Sequence, residues 1–436
     1  MEGNGQHSRP GNCRKPLHDF YWHDRYKDGS RNGETGCIGG FTDKLAKAIL
    51  LHDLFCIATC LTICVSNSYG KKDSAEASKY LVAIMRLTAV IALAGGVILY
   101  FCARPVMILC SNQKDTMDMS VAYFRIIMGG MVFQSLTLMM NAALRGIGKT
   151  KITLLSNSVI GVTDIIFNYF LIGGEAGFPA LGVAGAAYAT VIGTAFGFVV
   201  SLFPFLGHKG FMSLTDKEKL KGFSEKEMLR KIRPTVLNLF GENFLMRIGF
   251  LVSGVIVAHI GSFNTAVYSI GMILMNISIA FGEGLQTACV ALIGRCCGAG
   301  EREKIPSYLK TALITGAILA VIIASSYALF GEEFFGFFLN DKRFTNAGSS
   351  VSLIVAFICI FQIERSIYIG AMRGEKEVVI PRRIATLCVL VINPLLSYVF
   401  GIVLRYGIWI SIAIDQVIWY VCTRVSYRKF LANKMK

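Results

Sequence analysis

The feature that most constrains this chain is the recurrence of apolar blocks long enough to cross a bilayer. A helix of about 20 apolar residues spans the hydrocarbon core. Blocks of that order occur at approximately 45–67, 80–102, 120–143, 152–173, 181–204, 234–260, 266–293, 309–331, 348–371, 384–404 and 407–423, eleven in all. Charged residues make up 17% of the chain, against about 25% in soluble domains. The expectation is an all-α membrane protein inserted in a lipid bilayer.

The formal net charge of +16 has two readings, a nucleic-acid partner or cytoplasmic loops. Its distribution favours loops. The segments 68–79, 145–151, 205–233, 295–310, 373–383 and 424–436 together hold 27 Lys and Arg, while the alternate set 103–119, 174–180, 261–265, 332–347 and 405–406 holds 5. Such a bias places the first set, with the C-terminus, in the cytoplasm. No nucleic-acid partner is expected. The chain divides into a polar segment 1–42, disordered or misread; a bundle 43–204; a basic linker 205–233; a second bundle 234–423; and a basic tail 424–436.

The 13 cysteines show no paired CxxC pattern with metal spacing. Cys56, Cys60 and Cys64 lie at helical spacing and read as a packed helix face. His18-Asp19 and His23-Asp24 are too weakly spaced to argue for a metal. Gly70-Lys-Lys-Asp73 lacks the spacing of a phosphate-binding loop. No ATPase motif is present, so no cofactor is expected and transport energy would come from an ion gradient.

An internal repeat organises the chain. Under an ungapped shift of 228 residues, Gly70 falls on Gly298, Tyr80 on Tyr308, Asn112 on Asn340, Lys114 on Lys342, Phe133-Gln134 on Phe361-Gln362, and Arg145-Gly146 on Arg373-Gly374. Agreement at polar and loop positions is far less expected by chance than agreement among Leu, Ile and Ala. The repeats keep the same loops on the same side, so they run parallel, and substrate is expected between the halves.

The segments Asn141-Ala-Ala-Leu-Arg-Gly-Ile-Gly-Lys-Thr150, Asn168-Tyr-Phe-Leu-Ile-Gly-Gly174 and Gly177-Phe-Pro-Ala-Leu-Gly-Val-Ala-Gly-Ala-Ala187 resemble the multidrug and toxic compound extrusion (MATE) family. In the second half Pro234, Leu292-Ile-Gly-Arg-Cys-Cys-Gly-Ala-Gly300 and Gly370-Ala-Met-Arg-Gly374 extend the resemblance over about residues 60–430. The resemblance implies twelve helices in two lobes forming a V around a central cavity. It also implies export of organic cations, drugs or metabolites across the inner (plasma) membrane in exchange for Na+ or H+, and a monomer is expected. The chain departs from this pattern at its start. The helix at 233–259 should have a counterpart at 5–31, but that stretch carries nine charged residues from Arg9 to Arg31. Each costs about 2.5–3.5 kcal/mol at a helix centre. The expected fold is therefore five recognisable spans plus six, with a misread start preferred to divergence. The chain as written is expected to transport poorly.

Ionisable groups inside spans are candidate functional residues. Glu242, eight residues after Pro234, stands where several family members bind the coupling cation, and Asn238 lies one turn earlier on the same face. The competing accounts for Glu242 are a salt bridge with Arg247 and an interfacial acid near the basic linker. Glu364 is a second coupling candidate beside Gln362, unless Arg365 neutralises it. Asp164 and Asn168 share a helix face and are expected to line the first lobe's cavity or to bond neighbouring helices. Glu283 is expected at the cavity mouth, and Asp415 beside Gln416 in structural hydrogen bonds or at the cavity. Met272, Met275 and Phe281 suit a polyspecific apolar wall, with packed core or lipid contact as the alternative. Two further readings stand beside the antiporter: a lipid-linked sugar flippase of the same superfamily, which would need Arg or Lys to hold a phosphate, and a degenerate, non-transporting membrane protein.

Overall fold

The computed structural model describes residues 54–110, 117–207, 210–260, 262–338, 342–403 and 407–435. The polar segment 1–42, the stretch 5–31 and Asp53 lie outside these residues. Among the described residues there are no strands, and ten helices are long and apolar enough to cross a membrane. A shorter apolar helix, α1 (Leu54–Gly70), stands for the first expected span.

The first half continues with α2 (Ser74–Phe101), the short α3 (Ala103–Cys110), α4 (Met117–Gly146), α5 (Thr150–Gly173) and α6 (Val183–Leu206). The second half comprises α7 (Glu225–Ile260), α8 (Ser262–Ala299), α9 (Ile305–Leu329), the short α10 (Gly331–Phe338), α11 (Lys342–Gly374), α12 (Val379–Phe400) and α13 (Ile408–Met435). The 228-residue shift superimposes α3 on α10 end for end, and it aligns the last residues of α4 and α11, Gly146 and Gly374. The repeat read in loop residues is thus a repeat of elements.

Each half has its own buried core. One gathers Leu61, Leu81, Phe124, Met131 and Met140; the other gathers Val257, Leu274, Ala320, Cys359 and Ile367. In the first, α4 packs against α2 and α6; in the second, α11 packs against α8, α9 and α13. The equivalent helices α4 and α11 are therefore central in their bundles. Outward-facing side chains stay apolar, as at Val90, Val97, Phe101 and Phe203, because lipid rather than water covers them.

Helix association in a bilayer depends on close backbone approach more than on hydrophobic exclusion. On α6 Gly185, Ala189, Gly193 and Gly197 recur every fourth residue, and this stripe lets α5 approach. A Cβ on Gly193 would stand 2.9 Å from the Ile160 carbonyl oxygen, and one on Gly185 would overlap the Leu171 carbonyl. The halves meet where α1 crosses α8. A Cβ on Gly70 would overlap the Arg295 carbonyl, and one on its repeat partner Gly298 would overlap the Asn67 carbonyl. Ser66 Oγ donates to the Val290 carbonyl at 3.4 Å and Asn67 Nδ2 to the Gly294 carbonyl at 3.5 Å.

Three local expectations change. Pro234 does not open its span: α7 begins at Glu225, with Glu225 and Glu227 in the first turn, where acids complement the helix dipole. Residues 424–435 are not a separate tail but the end of α13. Tyr427 is buried there, and Lys434 Nζ bridges Glu375 at 2.8 Å. The span α12 is irregular, with π-helical stretches at Cys388–Ile392 and Ser397–Val403 on either side of Asn393-Pro394. Proline lacks the N–H of the regular ladder, and π turns often lie at functional sites.

Candidate functional site

Three constellations of described ionisable and polar groups lie inside the bundles. In the first bundle, Asp164 on α5 accepts hydrogen bonds from Asn168 Nδ2 at 3.0 Å and from Thr190 Oγ1 of α6 at 3.0 Å. Asp164 and Asn168 share a face, as their spacing requires, and both are half-buried. Asn168 Oδ1 is buried without a hydrogen-bond partner. Both Asp164 contacts come from neutral groups, which orient the carboxylate.

In the second bundle, Glu242 on α7 is 3% exposed and accepts from Arg373 Nη2 at 2.8 Å. The ion pair joins α7 to the end of α11. The salt-bridge account thus holds for Glu242, with a different arginine from the expected Arg247. Asn238 Nδ2 donates back to the Pro234 carbonyl at 2.7 Å. Glu283 of α8 is not covered by protein and lies within electrostatic range of Arg373. Arg373 Nε is buried and has no hydrogen-bond partner.

The third constellation lies beside the second. Arg365 is buried, donates to Gln416 Oε1 at 2.8 Å and lies 3.6 Å over the Trp419 ring. Gln416 Nε2 donates to Asp415 Oδ2 at 3.1 Å, and Asn393 Nδ2 donates to the same oxygen at 3.3 Å. Ser253 Oγ of α7 donates to Asn393 Oδ1 at 2.6 Å. Four helices are thereby tied through polar atoms, and Asn393 sits between the two π-helical stretches of α12. The Arg365 guanidinium is engaged by Gln416 and Trp419. Glu364 is half-buried.

Of the remaining candidates, Gln362 is buried with its Oε1 unpaired. Met275 is 2% exposed and belongs to the second core, so it is packing rather than cavity wall. Met272 is half-buried against the same core, and Phe281 is exposed. Sequence reasoning missed Thr190, Asn393 and Ser253, for which no local signal exists. It also quoted Arg373 only as a repeat marker, although an arginine inside a buried helix end is itself a signal.

A polytopic bundle with buried carboxylates, built as two parallel repeats, defines a membrane transporter rather than an enzyme. The family model for MatE matches residues 41–170 and 239–399, and the chain belongs to that family. It is similar to the uncharacterized transporter YisQ of Bacillus subtilis, 24% identical over 387 residues that cover 86% of this chain and 83% of that one. It is also similar to a probable multidrug resistance protein NorM of Thermotoga maritima, 25% identical over 298 residues, covering 68% and 63%. Two solved structures share the fold. A variant of the Vibrio cholerae MATE transporter VcmN matches at TM-score 0.80 and 15% identity, covering 92% of this chain and 90% of that one. A MATE crystal structure in the straight conformation matches at 0.79 and 16% identity, covering 92% of each.

Proposed function

We propose that this chain is a secondary active antiporter that exports organic cations, drugs or metabolites across the inner membrane in exchange for Na+ or H+, with Glu242 as the coupling carboxylate. The observation that carries the reading is an almost fully buried carboxylate within a span, held 2.8 Å from a cation that belongs to the protein. A buried carboxylate is costly without a positive partner or a proton. The group therefore always holds a cation of some kind, and exchange of one for another is the chemistry of antiport. Asp164, with Asn168 and Thr190, offers a second carboxylate in the other bundle, oriented by neutral donors and suited to a small cation. Names of relatives as multidrug resistance proteins support the substrate class. Cytoplasmic placement of the basic loops is part of the same proposal.

The flippase reading loses support at the site itself. The second bundle does contain two buried arginines, Arg365 and Arg373. Arg373 is matched by Glu242, and Arg365 by Gln416 with Asp415 in electrostatic range, so both are engaged within the protein.

The test is efflux of a cationic dye from proteoliposomes under imposed Na+ or H+ gradients. Glu242→Gln keeps shape and hydrogen-bonding capacity but removes the charge, and is expected to abolish uphill efflux while the protein remains folded in the membrane. Full gradient-driven efflux by that variant would remove Glu242 from the mechanism. Stimulation by Na+ in the presence of a protonophore identifies the sodium ion as the driver; loss of efflux there identifies the proton.

A further inference from the structure

We propose that Arg373 is a tethered counter-cation, shared between Glu242 and Glu283, whose movement between them opens and closes the coupling site to external cations; this rests on Glu242 being the coupling carboxylate. The argument begins with the packing of α8 and α11. Gly282 faces Ser366 and Gly370 faces Gln286, so these two helices run side by side in the same direction. Glu283 is therefore level with Ile367, about 9 Å of helix rise before Arg373. Side chains on a helix lean toward its N-terminus, and the extended arginine stem covers most of that distance. Glu283 lies within electrostatic range of the guanidinium, whose Nη2 holds Glu242 at 2.8 Å. One cation thus stands within reach of two carboxylates on different helices.

The two carboxylates are not alike. Glu242 is buried and Glu283 is not covered by protein. Arg373 Nε is buried without a partner, so the guanidinium has donor capacity that the single contact to Glu242 does not use. When a proton or a substrate cation neutralises Glu242, Arg373 loses its partner and retains its positive charge in a low-dielectric surround. A guanidinium stays charged under these conditions, so it must find another anion. Glu283 is the carboxylate within reach. Return of Arg373 to Glu242 then displaces the bound cation. In this scheme the resident arginine competes with every external cation for one carboxylate, and Glu283 sets the terms of that competition.

A static brace and a shared counter-cation differ in sign. If Arg373 only braces α7 against α11, its removal weakens everything the site does. If it competes, its removal frees Glu242. The experiment measures equilibrium binding of tetraphenylphosphonium to the purified full-length chain in detergent, alongside gradient-driven efflux of the same probe from proteoliposomes. Arg373→Gln is expected to bind the probe roughly tenfold more tightly and to transport it roughly tenfold more slowly, since the competing charge is gone and release is no longer assisted. Arg373→Lys, shorter but still charged, is expected to fall between the parent and Arg373→Gln in both readouts. Glu283→Gln is expected to bind the probe several-fold more weakly, because Arg373 then has only Glu242 to hold. Unchanged or weaker binding by a folded Arg373→Gln variant would overturn the proposal. Should Arg373→Gln fail to fold, unchanged probe affinity in Glu283→Gln would overturn it equally. Failure of the underlying reading is separate: it appears as full probe binding and efflux in Glu242→Gln, whatever the arginine variants do.

Discussion

The carboxylate of Asp164 receives two hydrogen bonds, from Asn168 one turn along α5 and from Thr190 on α6. The first was readable from spacing alone, since residues four apart on a helix share a face. The second was not, because α6 is brought to α5 by a stripe of small residues whose register no single-sequence pattern reports. Glu242 divides in the same way. Its place inside a span and its suspect status were legible, but its partner lies 131 residues away along the chain, and nearby Arg247 was the natural local choice. Asp164→Ala removes the acceptor of both bonds. The Thr190 bond is interhelical, a class that averages about 0.6 kcal/mol in membranes, and with the Asn168 bond within α5 the loss should be on the order of 1 kcal/mol. The melting temperature of the purified protein in detergent should fall by a few degrees; an unchanged value would show that the two bonds are not stabilising. Arg365→Met should cost more, on the order of 3 kcal/mol, because it leaves Asp415 buried without a cation in range.

Among the elements, α5 and α6 depend on the small residues of α6 more than on any side-chain contact. Gly193→Val would place methyl groups where the Ile160 carbonyl already stands. Overpacking of this kind costs about 1–3 kcal/mol, and the helices cannot separate without losing the Thr190 bond to Asp164. The variant should therefore lose thermal stability and dye efflux together, whereas Gly161→Ala, at a position open on every side, should change neither. The spans themselves were legible to within a few residues because length and hydropathy decide them. Boundaries were less so where amphipathic turns continue a helix beyond the membrane, as α7 does before Pro234 and α13 does after Thr423. Nothing in the composition of 388–403 announced the π-helical turns; only Pro394 hinted at irregularity.

For the whole molecule, two-fold organisation was the most legible property of all, since equal spacing of Gly, Arg, Asn and Lys is a global pattern and survives local ambiguity. The orientation that follows from the loop charges is open to test. A cysteine at Thr215, exposed between the halves, should react with an impermeant maleimide only from the cytoplasmic side. One at Glu332, exposed at the start of α10, should react only from outside. Labelling of the Thr215 position in intact cells would reverse the assignment.

The turns that follow equivalent helices preserve a history. Lys72 stands at φ 59° where the later copy has Gly300 at φ 76°, and Gly148 at φ 78° where the later copy has Lys376 at φ 65°. Left-handed backbone disfavours any side chain by roughly 1 kcal/mol or more, and glycine is its usual occupant after a helix. Each half has thus kept glycine at one of the two turns and surrendered it at the other, while all four backbones hold the same shape. Architecture here has outlasted the residues that suit it best. The two copies have drifted apart independently, so each carries a repair for the other's weakness. Lys72→Gly and Lys376→Gly, borrowed from the sister copy, should each raise stability by about 1 kcal/mol, read as a higher melting temperature in detergent. A fall would mean that the lysine side chains have since acquired contacts worth more than the strain they impose.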